Sequence, residues 1–206
     1  MEILNLFPIP LGKFILDRPL TTFELDFVMN QAQFKENRTN FFTTDNYILK
    51  NSALQSLNNF FKKSLDEYFQ AIINPKNEVH LEITQSWINI TKKGQSHHQH
   101  KHWNSLYSGV FYINAVEGED RIFFHNYQGL RDILVTPNEW NIYNSMSWWV
   151  PVKTGELLIF PSSLFHEVDL VQHEHARISL SFNTFPIGWL GNREGSTELI
   201  IPGLGH

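Results

Sequence analysis

Gln85 to Asn114 holds four of the chain's ten histidines: His97, His98, His100 and His102. Neutral imidazole is the commonest side-chain metal ligand. His100 and His102 stand two apart, and on a strand residues i and i+2 share a face, so a strand here would aim both rings at one point. His97 and His98 are neighbours that a strand would send to opposite faces, and they read as loop or rim. With no cysteine in the chain, a metal here takes nitrogen and oxygen ligands, which suits iron, zinc, copper or nickel. A His-rich tract alone fits a solvated loop of weak metal affinity equally well. The third ligand decides between them, and it comes much later. Gly155 to Pro161 reads as a buried strand with a stop, and His166 follows shortly after. The competing reading of His166 is a hydrogen-bonded turn histidine.

The run from Arg177 to Asn183 adds an anion receptor. Arg177, Ser179, Ser181 and Asn183 alternate with Ile178, Leu180 and Phe182. If the apolar face packs on helices, the Arg/Ser/Asn face lines an internal cavity. A guanidinium there pairs bidentately with a carboxylate and keeps its charge when buried.

These residues need a scaffold, and the rest of the chain supplies its outline. Residues 1–20 read as an extended lead-in strand. Thr21-Thr22-Phe23-Glu24 offers a capping box, and a helix is expected from there to about Lys35, with Phe23, Phe27, Val28 and Gln31 along one stripe. Residues 37–46 read as a polar loop. From Ser52 to Ile73, apolar residues recur at three and four, the pattern of a long amphipathic helix ended by Asn74-Pro75. After residue 79 the period becomes two. Strands are expected over 80–91, 99–103, 106–115, 120–125, 131–135, 156–160, 165–171 and 176–184. Helices first and short strands after predict a mainly β protein, a sandwich or barrel with N-terminal helices packed on one face. The 206 residues suit a single domain, with residues 1–78 as support and 79–206 as the β core.

Composition narrows the function. Seventeen Phe and six Trp suit pleated inner faces, and a net charge of −5 argues against nucleic acid as the partner. No apolar run is long enough to span a membrane, and the N-terminus lacks the features of a signal peptide. A cytoplasmic setting is the expectation. No Gly-x-Ser-x-Gly elbow is present, so Ser162 and Ser163 do not read as nucleophiles. The long segment His125–Val150, with Trp140, Tyr143, Trp148 and Trp149, reads as a lid or as ordinary packing, and Trp103 as a wall of a substrate pocket. Oligomeric state is not encoded in any of these features.

The ordered series Ser-Trp-x-Asn, Gly94, His-x-His, Ser-Gly-x-x-Tyr, Phe-Pro-x-x-x-x-His and Arg-x-Ser-x-Ser-Phe-Asn resembles the iron(II)/2-oxoglutarate-dependent oxygenases. It looks closest to a group of mostly uncharacterised 2OG-Fe(II) oxygenases, with prolyl-hydroxylase-like features. The early Leu6-Phe7-Pro8 and the late Gly188 and Gly191 extend the likeness over nearly the whole chain. The resemblance implies a double-stranded β-helix (jelly-roll) core and the cofactors Fe(II), 2-oxoglutarate and O2. It also implies hydroxylation of a C–H bond of a small-molecule or peptidyl substrate, with release of succinate and CO2. His100 and His166 match the family's iron histidines, and Arg177 matches the arginine that pairs with the C5 carboxylate of 2-oxoglutarate. Tyr112 is similar to a tyrosine that bonds the same carboxylate, with Ser179 or Ser181 assisting. Asn89, five residues before Gly94, resembles an asparagine that touches the cosubstrate. His102 stands where the family usually has Asp or Glu. The third iron ligand is then His102 itself, or an oxygen from Glu167 or Asp169. A three-His set also fits a cupin-like dioxygenase that uses no 2-oxoglutarate, or a noncatalytic metal-binding jelly roll.

Overall fold

In the computed structural model, residues 1–127, 133 and 135–203 are described. The N-terminal part is support. The lead-in contributes only the short strand β1 (Gly12–Ile15). Helix α1 (Thr22–Asp26) begins at the expected capping box: the Thr21 hydroxyl accepts from the Glu24 N–H at 3.2 Å, and the Glu24 carboxylate accepts from the Thr21 N–H at 2.7 Å. The helix does not reach Lys35. After Asp26 it widens into one π-helical turn, Phe27–Gln31, closed by the Ala32 N–H on the Phe27 carbonyl, and β2 (Phe34–Glu36) follows. The stripe is narrower than expected, because Phe27 and Val28 are buried whereas Phe23 is 77% exposed. β3 (Phe41–Thr43) lies within the stretch expected as loop. The long helix α2 (Gln55–Ile72) forms where its periodicity places it.

The remaining strands are β4 (Val79–Thr91), β5 (His97–His100), β6 (Tyr107–Asn114), β7 (Arg121–His125), β8 (Ser147–Pro151), β9 (Glu156–Pro161), β10 (Phe165–Val168), β11 (Arg177–Leu190) and β12 (Leu199–Ile201). The larger sheet runs β1-β9-β6-β11-β4-β3-β2, with β12 paired to β11. The smaller runs β5-β10-β7-β8. Strand pairs in both sheets are antiparallel. Two facing antiparallel sheets make the jelly roll the sequence predicts.

Several boundaries differ. β5 starts and stops earlier than 99–103, so His97 and His98 are strand residues and His102 lies just beyond the strand end. β10 stops at Val168, before Asp169 turns out to meet Arg121 at 3.7 Å. β8 and β12 were not expected. β8 takes Trp148 and Trp149 out of any lid and pairs them with Phe124 and Phe123 of β7. Of the strand expected over 131–135, residues 131, 132 and 134 lie outside the described residues, as does part of the expected lid.

The apolar face of β11 packs on α2 as its alternation requires. Ile178, Leu180 and Phe182 are buried with Leu57, Phe61 and Leu65, and the Phe61 and Phe182 rings stack with centroids 5.3 Å apart. Each such side chain contributes roughly 1.5–3 kcal/mol by leaving water. A second cluster, including Val110, Tyr112, Ile122, Phe124 and Phe160, fills the space between the sheets. Together these clusters turn the polar face of β11 inward. No described helix is long and apolar enough to cross a membrane.

Candidate metal centre

The smaller sheet aligns two of the histidines directly. His100 on β5 and His166 on β10 are register partners. His102 reaches the same point from past the end of β5, where its backbone N–H donates to the Ser162 carbonyl at 2.9 Å. One ligand atom from each of the three rings lies within 4.8 Å of the other two. The ring centroids are 5.2 Å apart for His100 and His102, 4.3 Å for His100 and His166, and 5.0 Å for His102 and His166.

The second nitrogen of each ring is already engaged. His100 Nδ1 lies 2.8 Å from the His98 carbonyl and His166 Nδ1 lies 3.0 Å from the Leu164 carbonyl. A carbonyl only accepts, so each Nδ1 carries the hydrogen and each Nε2 presents a lone pair. His102 Nδ1 lies 2.5 Å from Asn183 Oδ1 and 2.7 Å from Ser108 Oγ. The Asn183 amide donates its Nδ2 hydrogen to Gln85 Oε1 at 3.3 Å, which leaves Oδ1 as the acceptor. Hydrogen bonds of this kind fix tautomer and ring orientation in metal sites. Burial, with repulsion from neighbouring rings, lowers all three pKa values: His102 to about 4, His166 well below the ordinary value, and His100 downward despite its bond to the His98 carbonyl. Neutral rings with oriented Nε2 lone pairs are what a divalent metal requires.

No carboxylate joins this group among the described residues. Glu167 turns to His125, with Oε1 3.1 Å from Nε2, and Asp169 faces Arg121. The set is all-nitrogen, and nothing in these contacts supports an oxygen ligand from either carboxylate.

The polar face of β11 supplies the other half. Arg177, Ser179, Ser181 and Asn183 are all buried. Arg177 donates Nη1–H to the Arg121 carbonyl at 3.0 Å and Nη2–H to Tyr112 Oη at 3.4 Å, and its guanidinium carbon sits 5.1 Å from the Tyr112 ring centroid. Its buried Nε has no partner. Burial pushes the Tyr112 hydroxyl up to about 12, so it stays protonated and can donate. Asn89 donates to Ser181 Oγ at 3.3 Å. Arg177, Ser179, Ser181, Asn89 and the three histidines line one cavity. Tyr112 reaches it through Arg177, and Asn183 serves His102.

Two features escaped the sequence. His97, expected at the rim, is inside this cavity with its ring 4.5 Å above that of His100. Ser108 and Ser162 join the support of His102, their hydroxyls 2.7 Å apart. The register of β6 against β11, which opposes Ser108 to Asn183, is what brings the first of these in.

Residues 85–183 match the family described as Putative 2OG-Fe(II) oxygenase. Over that stretch, just under half of the chain, the sequence is similar to the 2OG-Fe(II) oxygenases. Among solved structures, the chain resembles HygX from Streptomyces hygroscopicus with nickel and 2-oxoglutarate bound, at 9% identity and TM-score 0.57, covering 85% of this chain and 82% of that one. It resembles a Pseudomonas putida prolyl-4-hydroxylase at 13% identity and TM-score 0.54, covering 85% and 92%. It also resembles the non-heme alpha-ketoglutarate-dependent epimerase SnoN of nogalamycin biosynthesis at 10% identity and TM-score 0.54, covering 79% and 70%. At these identities the likeness shows the jelly-roll fold. No curated protein matches the sequence.

Proposed function

We propose that this protein is a non-haem Fe(II)- and 2-oxoglutarate-dependent dioxygenase. His100, His102 and His166 hold the iron through Nε2, and Arg177 takes the C5 carboxylate of the cosubstrate, with Tyr112 beside it and Ser179, Ser181 and Asn89 lining its bed. The observation that carries this reading is the meeting, in one cavity, of three oriented neutral imidazoles and a buried arginine with an unpartnered Nε. A guanidinium carrying a free donor inside a protein is costly unless an anion completes it. With O2, the bound iron and cosubstrate would supply oxidation of a substrate C–H bond coupled to loss of CO2 and formation of succinate. The chain's own part is to orient the ligands, neutralise the distal carboxylate and keep water out. The match to the oxygenase family, and 2-oxoglutarate bound in HygX, support the reading. We read the whole chain as one catalytic domain.

Entry of the cosubstrate requires movement. The free volume among these side chains is about 20 Å³, room for a single water. His97 lines that space and is stacked on His100, and no hydrogen bond of its side chain holds it among the described residues. Its ring is therefore the side chain that turns aside at least cost. Arg177 also lines a neighbouring cleft of about 610 Å³ between the β6–β7 turn and the segment after β10, a route by which a dicarboxylate reaches it.

The substrate is a small molecule or a peptidyl residue that undergoes hydroxylation. Trp103, 75% exposed with Lys101 Nζ 4.2 Å above its ring, follows His102 directly in the chain and is a contact for the substrate. A second reading, a three-His dioxygenase that uses no 2-oxoglutarate, draws on the absence of a carboxylate from the ligand group. Anaerobic titration with Fe(II) and 2-oxoglutarate separates the two. The expected result is a weak visible charge-transfer band of the chelate, absent from His166→Ala and Arg177→Ala. Tight Fe(II) binding with no band would move the protein to the second reading, provided O2 is consumed without succinate. Metal binding without O2 consumption would leave a noncatalytic jelly roll.

A further inference from the structure

A second convergence of ligand atoms lies outside the histidine triad. Glu119 and Asp120 sit on the β6–β7 turn, and His173 and His175 on the segment leading into β11. Asp120 is buried, its side chain 3% exposed. Its Oδ1 lies 3.3 Å from His173 Nε2 and its Oδ2 lies 3.0 Å from His175 Nε2. Glu119 Oε2 is 3.9 Å from His175 Nδ1. The two imidazoles, again spaced i and i+2, lie face to face with centroids 3.3 Å apart and planes 3° from parallel. One ligand atom each from Glu119, His173 and His175 lies within 4.8 Å of the others.

The tautomer of His173 repeats the pattern of the triad. Its Nδ1 faces the His175 carbonyl at 3.2 Å, which only accepts, so Nδ1 carries hydrogen and Nε2 is the atom turned to Asp120. That nitrogen stands 3.3 Å from the carboxylate oxygen, longer than the roughly 2.7–2.9 Å of a charge-assisted hydrogen bond. His175 Nε2 lies within hydrogen-bond distance of the other Asp120 oxygen, at 3.0 Å, and a second carboxylate stands alongside. A divalent cation placed among them would draw both rings and both carboxylates onto one centre.

We propose that Asp120, His173 and His175, with Glu119, form a second metal site for a borderline divalent cation of the zinc type, separate from His100, His102 and His166. Mixed imidazole and carboxylate ligands, without thiolates, suit such an ion. The ion pins the segment before β11 to the β6–β7 turn. It also takes up the charge of Asp120, which stands next to the Arg121 carbonyl that Arg177 holds, and so leaves the arginine free for an anion in the cleft.

The test is metal stoichiometry on the full chain, stripped with chelator and equilibrated with buffered Zn(II), counted by elemental analysis. Two ions per chain are expected in the wild type, one in His100→Ala/His166→Ala and one in His173→Ala/His175→Ala. Equal stoichiometry in the wild type and in His173→Ala/His175→Ala overturns the proposal and leaves a metal-free ion-pair cluster. If that variant fails to fold, Co(II) added to His100→Ala/His166→Ala decides. Visible d–d bands that saturate at one equivalent support the site, and their absence overturns it. Neither measurement involves 2-oxoglutarate, so its outcome is independent of the cosubstrate assignment.

Discussion

Residue chemistry at the triad divides into what spacing reveals and what only the fold supplies. His100 and His166 each bond the carbonyl two residues earlier, a local device that needs no distant partner. His102 has no such carbonyl and depends on Asn183, 81 residues away in sequence. The pattern of His-x-His and a later histidine after a buried strand pointed to all three, and the alternation Arg177, Ser179, Ser181, Asn183 pointed to the inward face. The role of Asn183 was not readable, because it arises from β11 pairing with β6 and from a turn beyond β5. His97 was misplaced for a related reason: strand alternation alone sets residues 97 and 100 on opposite faces, and the stacking of their rings coincides with a register irregularity opposite His166 and Val168 that no local pattern announces. Asn183→Ala should free the His102 ring, which then samples orientations that cannot share a metal. Metal affinity is expected to fall about 10–100-fold, read by competition against a chromophoric chelator. Unchanged affinity would mean that His102 is held without Asn183 or does not ligate.

Elements carry their own logic. The capping box at Thr21 and Glu24 was readable from four residues, because its hydrogen bonds are local. The turn from α-helix to π-helix at Phe27 was not, since burial of Phe27 and Val28 is decided by the packing of α1. β8 was hidden because Ser147–Pro151 carries large aromatics on both faces rather than an alternating pattern. Glu24 does more than cap. It is 1% exposed and takes two bonds from Arg18, at 2.9 and 2.6 Å. Burial opposes its ionisation, but the Arg18 guanidinium and the Thr21 N–H outweigh this and hold its carboxyl below the usual range. A depressed carboxylate contributes stability above its unfolded pKa and loses it as pH falls through the folded value. Glu24→Gln should therefore destabilise the chain at pH 7, by about 1–3 kcal/mol for a lost bond to a charged group. The gap from wild type should close below about pH 4. Urea unfolding at both pH values checks this, and a gap that persists at low pH would place the effect in packing instead.

At the scale of the molecule, the two sheets divide the work. β5 and β10, in the smaller sheet, carry His100 and His166, while β11 in the larger sheet carries Arg177 and the Asn183 that orients His102. A ligand that engages both the metal and Arg177 ties one sheet to the other. It binds only the folded chain, because the three histidines and the arginine converge only when both sheets are closed. Its binding free energy therefore adds to folding stability, by about 2.7 kcal/mol at a hundredfold excess over Kd. For a chain of this size that corresponds to a rise in Tm of roughly 5–10 °C. The expectation is that 2-oxoglutarate, added anaerobically to Fe(II)-loaded protein, raises Tm by this amount. It should do little to metal-free protein, and little to Arg177→Ala even when loaded. Glutarate, which has the two carboxylates without the keto group, should give a smaller shift, because only the Arg177 end remains satisfied. A shift of equal size in Arg177→Ala would show that the cosubstrate is held from the metal side alone, and that the inward face of β11 serves the fold rather than the ligand.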